Sequence, residues 1–284
     1  LDLAADYSNL GNIYCDTKRF EKAEEAYNVA LEIHIRLCAK TPEAYEPDLA
    51  KTYNNLGALY HQTQRFNEAE EAYHVALEIR KRLSEKNSEA YEPDLLESYN
   101  NLCVLYRDMQ CFQEAEEAFL TALEIKKRLS KTNPNVYGPD LARSYNILGN
   151  LCGATQRFKE AEEAYLSALE IFRRLSEFNP EVYEPDLARS FNNLGVLYYQ
   201  TQRFKEAEEA HLAMLEIFRH ISKLNPEVFE PQCADMYSNL GLFYCNTSLN
   251  GCFEREKAKM CFKKALTLYG KYESCAEKYE RVSN

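Results

Sequence analysis

Apolar residues return along this chain at helical spacing, in two alternating registers. Leu49, Tyr53, Leu56 and Tyr60 follow one another at intervals of three and four, which lines one face of an α-helix. A polar turn, Gln62-Thr63-Gln64-Arg65, ends that run, and Phe66 plugs the bend. Ala69, Tyr73, Ala76, Leu77 and Leu83 then mark the buried stripe of a second helix, from near Asn67 to about Glu85. Glu68, Glu70 and Glu71 load its first turns and Arg80, Lys81 and Arg82 its last, the polarity that the helix dipole favours. Gly57 inside the first helix costs about 1 kcal/mol relative to Ala. A close crossing explains it, since a side chain there would hold the partner backbone away.

This pair of helices recurs. Pro47, Pro93, Pro139, Pro185 and Pro231 are 46 residues apart, and Phe20, Phe66, Phe112, Phe158 and Phe204 keep the same interval. Six copies are expected, at about 1–46, 47–92, 93–138, 139–184, 185–230 and 231–270, in one domain. Pro47 suits the first position of a helix, with Asp48 at the positive end of its dipole. Asn133-Pro134, Asn179-Pro180 and Asn225-Pro226 read as stops after the second helices. Tyr45, Tyr91, Tyr137, Tyr183 and Phe229 then fall in the linkers, where they would pack the chain down.

The copies are unequal. Cys103 stands where others carry Gly, and the fifth copy has His211 and Met214 where an aromatic and Ala are usual. The sixth has a longer turn, Asn246 to Phe253, and a polar continuation from Lys271 that suits a terminal cap over 271–284. Nothing equivalent precedes Leu1, which suggests an excerpt from a longer protein.

Composition narrows the function. The chain of 284 residues has a net charge of −11, which disfavours the broad phosphate contact of nucleic-acid binding. No apolar run is long enough to span a bilayer. Ten cysteines include no Cys-x-x-Cys pair, and five histidines show no ligand-like spacing, so no metal or cofactor is expected. Free thiols in a reducing cytoplasm are the expected state. Ala-Glu-Glu-Ala recurs in five copies, preceded by Glu in four of them, so its carboxylates form a repeated helix face and not a unique acid–base pair. Without a nucleophile–base motif or a Gly-rich phosphate loop, the chain reads as non-catalytic.

Tyr53, Leu56-Gly57, Tyr60, Phe66, Ala69, Tyr73 and Ala76 resemble the tetratricopeptide repeat signature, as do Tyr7, Leu10-Gly11, Tyr14, Phe20, Ala23, Tyr27 and Ala30. The usual period is about 34 residues. The longer unit here resembles the kinesin-light-chain-like subgroup. The resemblance implies an all-α, right-handed superhelical solenoid of six antiparallel hairpins that binds a partner protein. It also implies an inner face built from the second, fifth, sixth, ninth and twelfth places of each repeat. Asn54, Asn100, Asn146 and Asn192 hold the fifth place, and Asn9, Asn55, Asn101, Asn193 and Asn239 the sixth, with Ile147 interrupting the row. Amides both donate and accept, so such a row can pair with the main chain of an extended peptide. The same amides could instead bond between helices. Lys51, Arg143 and Arg189, with Arg107, would favour an acidic peptide, opposed by Glu97, Asp108 and Asp235. Some family members clamp chaperone C-termini with a fifth-place Lys, which no copy here has. The expected protein is therefore a monomeric, cytoplasmic peptide-binding adaptor. A ligand-sensing array within a larger signalling protein and a self-associating spacer are the alternatives.

Overall fold

The computed structural model describes residues 3–247 and 252–272. Its elements are α1 (Leu3–Asp16), α2 (Phe20–Cys38), α3 (Pro42–Gln62), α4 (Phe66–Lys86), α5 (Ser88–Asp108) and α6 (Phe112–Thr132). They continue as α7 (Pro134–Ala154), α8 (Phe158–Phe178), α9 (Pro180–Gln200), α10 (Phe204–Leu224), α11 (Pro226–Thr247) and α12 (Cys252–Tyr269). No strand occurs among the described residues. Odd and even helices pair as antiparallel hairpins, and each hairpin packs on the next within two compact units, residues 1–132 and 133–284. The expected all-α hairpin stack is therefore what forms. The turn at 248–251 and the proposed cap beyond Tyr272 lie outside the described residues.

One expectation is corrected. Pro47 does not open a helix, because α3 begins at Pro42 and carries Pro47 inside it, as α5, α7, α9 and α11 carry Pro93, Pro139, Pro185 and Pro231. The N-terminal prolines are Pro42, Pro134, Pro180 and Pro226. What reads as a linker is helix, and between α6 and α11 a single residue separates each hairpin from the next. The physical reason is backbone satisfaction: a linker pressed on the core must pair its own N–H and C=O groups, and helix does so locally. An internal Pro forfeits one such bond. The packing of Tyr91, Tyr183 and Phe229 against buried clusters helps offset that loss. The extra length thus extends both helices of a hairpin, most of them to 21 residues.

The five described hairpin turns use the same device. Gln64, with φ of 60°, is left-handed, as are Lys18, Gln110, Gln156 and Gln202. The Gln64 N–H bonds to the His61 carbonyl at 3.0 Å and the Arg65 N–H to that of Tyr60 at 2.8 Å. These two bonds are the Schellman closure of a helix C-terminus. Thr63 Oγ1 donates to the Leu59 carbonyl at 2.9 Å, consuming another orphan acceptor.

The recurring carboxylates join successive hairpins. Glu24 accepts from Arg65 Nη1 at 2.7 Å, with the guanidinium stacked 4.3 Å above the Tyr60 ring. Glu162 repeats this with Arg203 and Tyr198, and Glu208 with Lys257 and Tyr244. Where Cys111 replaces the arginine, the Tyr106 hydroxyl still donates to Glu70 at 3.0 Å. In this frame the repeated acidic motif is structural.

Candidate peptide-binding face

The first helices meet one another directly, α3 touching α1 and α5 in the first unit, and α7 touching α9 in the second. That contact decides which amides reach solvent. In a helix, adjacent residues point about 100° apart, so the fifth and sixth places cannot share one environment.

The fifth place turns toward the next layer. Asn54 is buried, donates to Glu97 Oε1 at 3.2 Å and accepts from Asn101 Nδ2 at 2.8 Å. Arg80, itself buried, bridges the same layer through Ser98 Oγ at 2.8 Å and Glu97 at 3.0 Å. In the second unit Asn146 is buried and donates to Ser190 Oγ at 2.8 Å. Asn192 has no such bond among the described residues, and Met236 occupies the place that Ser190 holds one repeat earlier. Asn100 is half-buried and likewise unbonded. Asn54 and Asn146 therefore hold the stack together.

The sixth place divides. Asn9 and Asn239 are exposed and Asn193 half-buried, with no protein hydrogen bond to any of them among the described residues. Asn55 is half-buried, but its Nδ2 is sealed from solvent without a partner. Asn101 is committed to Asn54. At the ninth place, Asn12 and Asn150 each accept from the Tyr of their own hairpin, Tyr27 and Tyr165, at 2.7 Å.

The arginines carry their own counter-ions. Arg143 contacts Asp140 at 3.0 Å and Asp186 at 3.1 Å, and Arg189 contacts Asp186 at 3.1 Å. Partial burial pulls the Arg143 guanidinium down, but the charges and hydrogen bonds of Asp186 and Asp140 together outweigh it and raise the group above its ordinary value. Arg107 pairs with Asp108, which also accepts from His61 at 2.9 Å. Hydrogen bonds from Arg107 and then His61 hold Asp108 below the usual carboxylate range. Lys51 is exposed and makes no ion pair among the described residues.

An apolar component escaped the reading of the sequence. Ile147, Val196, Tyr199 and Leu242 are 54, 44, 39 and 52% exposed on α7, α9 and α11. Val196 and Leu242 hold the ninth place and Tyr199 the twelfth; Ile147 is the residue that interrupts the amide row. The signal was present, because side chains at these places of buried-type residues could be read directly from the register. Among the described residues no group of His, Cys, Asp and Glu could hold a metal ion, and no helix is long and apolar enough to cross a membrane.

The sequence model of the tetratricopeptide repeat matches residues 2–82, 94–174 and 140–220. Among solved structures the chain is similar to BtubC (BKLC) from P. vanneervenii, at 25% identity and a TM-score of 0.55, covering 88% of this chain and 91% of that one. It is also similar to a Podosopora anserina putative kinesin light chain with nearly identical repeats, at 19% identity and a TM-score of 0.52, covering 78% and 97%. The apo form of RapI gives 17% identity and a TM-score of 0.53 over 99% and 96%. No curated protein sequence matches.

Proposed function

The chain belongs to the tetratricopeptide repeat family, and from that premise we propose that it is a scaffold whose second unit holds an extended segment of a partner protein along α7, α9 and α11. The observation that carries this reading is the pairing of free amides with exposed apolar side chains on one set of helices. Asn193 and Asn239 offer donors and acceptors with no protein partner among the described residues, while Ile147, Val196 and Leu242 offer apolar surface beside them. An extended segment presents main-chain polar groups and alternating side chains, so amides hold the one and apolar places select the other. The arginines at the second place support an acidic ligand less than their number suggests, because Asp186 and Asp140 already neutralise them. The favoured ligand is an extended segment with apolar side chains.

The test is a fluorescence-polarisation screen of labelled combinatorial peptides against the intact chain, repeated with Asn193→Ala/Asn239→Ala. Two lost hydrogen bonds at about 1 kcal/mol each weaken binding roughly tenfold or more, with helicity unchanged. Binders that hold the double variant with undiminished affinity would refute the reading.

A further inference from the structure

A cleft of about 330 Å3 lies between α10, α11 and α12, on a different side of α11 from the free amides. Its wall is apolar, formed by the Tyr237 ring, Leu268 and the buried Cys233. Around it stand Arg219, Lys223 and Lys264, with the hydroxyls of Ser222 and Thr267. Among the described residues none of the three cations makes an ion pair, and Lys264 Nζ sits 5.2 Å from the Tyr237 ring centroid. The one carboxylate there among the described residues, Glu230, is engaged by Lys271 Nζ at 3.1 Å and by the Tyr272 hydroxyl at 2.9 Å. Burial pushes the Cys233 thiol up to about 11; Arg219 and Lys264 oppose that rise and Glu230 adds to it.

A cation at the Arg219 place recurs as Arg173, Lys127 and Lys81, and Lys131 matches Lys223, but Lys264 and the Glu-to-Thr change at Thr267 belong to the last hairpin alone. A Cβ on Gly241 would meet Phe262 as one on Gly195 would meet His211, which sets the two residues at the same place in their hairpins. In that register Lys264 and Thr267 stand where α10 has Ala213 and Glu216, and Lys223 stands where α8 has Glu177. Glu32, Glu78, Glu124 and Glu170 hold the Thr267 place in the other copies. One hairpin earlier, Arg173 is therefore accompanied by Glu177, Glu184 and Glu216, a net negative set, whereas the last cleft is net positive. A solvated helix surface gives no reason for these changes to converge on one cleft. An anionic ligand does.

We propose that the cleft of α10, α11 and α12 binds a phosphomonoester carried on an apolar or aromatic group. The dianion and its three acceptor oxygens match three cations and two hydroxyls, and the attached group lies on Tyr237 and Leu268. The volume is at the lower end of ligand pockets, roughly 300–1,000 Å3, and suits a small molecule or a single modified side chain better than a nucleotide. The site stands independently of the peptide face.

Isothermal titration of the intact chain in phosphate-free buffer near neutral pH tests this, with phenyl phosphate as probe. Saturable binding, tighter than that of inorganic phosphate and weakened about tenfold or more in Lys223→Glu/Thr267→Glu, is the expected result. That variant carries Glu177 and Glu216 of the preceding helices at those places, so it is designed to keep the fold, and an unchanged circular dichroism spectrum verifies it. No saturable binding of phenyl phosphate, or equal binding by the folded variant, overturns the site. A phosphotyrosine peptide binding more tightly than phenyl phosphate would assign the site to a protein-borne group; weaker binding would assign it to a free small molecule.

Discussion

Gly57→Ala isolates the contact on which each hairpin closes. A Cβ built on Gly57 would lie 2.6 Å from Tyr73 Cδ1, 2.7 Å from Cε1 and 3.0 Å from Cγ, so the ring must move. Tyr73 is only 3% exposed, which leaves it little room to do so. Alanine gains about 1 kcal/mol of helix propensity over glycine, while overpacking costs about 1–3 kcal/mol. With contacts this close the upper part of that range applies, so the net destabilisation is about 2 kcal/mol. Tyr73→Ala alone costs roughly 3–5 kcal/mol as a large-to-small core change. In that background the clash is gone, and Gly57→Ala becomes stabilising by about 1 kcal/mol. Urea unfolding of the four proteins, followed by circular dichroism, measures this cycle. The reversal of sign is the decisive outcome. Gly57→Ala stabilising the protein while Tyr73 is present would refute the wedge. Gly153 supplies the control, because a Cβ there meets nothing within 4 Å and its replacement by Ala should not destabilise. The third hairpin already shows the trade: Cys103 takes the glycine place and Phe119, the ring opposite, is only half-buried.

Asn54→Ala should destabilise by about 1–3 kcal/mol, because Asn101 and buried Arg80 lose an acceptor. Asn239→Ala should stay within about 0.5 kcal/mol in the same urea titration, and equal effects would show that the two places are not distinct. Gln64→Gly should raise stability by about 1 kcal/mol, since its φ of 60° costs a side-chain-bearing residue about that much; an unchanged melting temperature would argue against strain there. Burial lowers His211 below its ordinary 6.5, so the unfolded chain takes up its proton first. The sign follows: this contribution is complete above pH 6.5 and is lost as pH falls through the lower folded value. His211→Tyr should therefore lose less melting temperature than wild type between neutral and mildly acidic pH, and parallel losses would exclude His211 as the source.

Much of this architecture is legible along the chain because it is local. The 46-residue recurrence, the apolar intervals of Leu49 to Tyr60 and of Ala69 to Leu83, and the Gln-Arg-Phe turn each concern neighbours within one or two helical turns. The start of the first helices is not legible locally, because Pro47 and Pro42 both satisfy the preference for proline near a helix start. Only the packing of aromatics such as Tyr91 and Tyr183 shows that the stretch between them is helical.

The two rows of amides are the clearest division between the levels. Asn54 and Asn55 are adjacent, chemically identical and repeated alike, so no pattern in one dimension separates a tie between layers from a group free to bind. Their fates depend on what the next hairpin brings opposite them: Ser190 for Asn146, Met236 for Asn192, Glu97 and Asn101 for Asn54. Local hydrogen bonding and apolar spacing specify a helix, but the partner of a side chain 43 to 47 residues away is settled only when the layers stack.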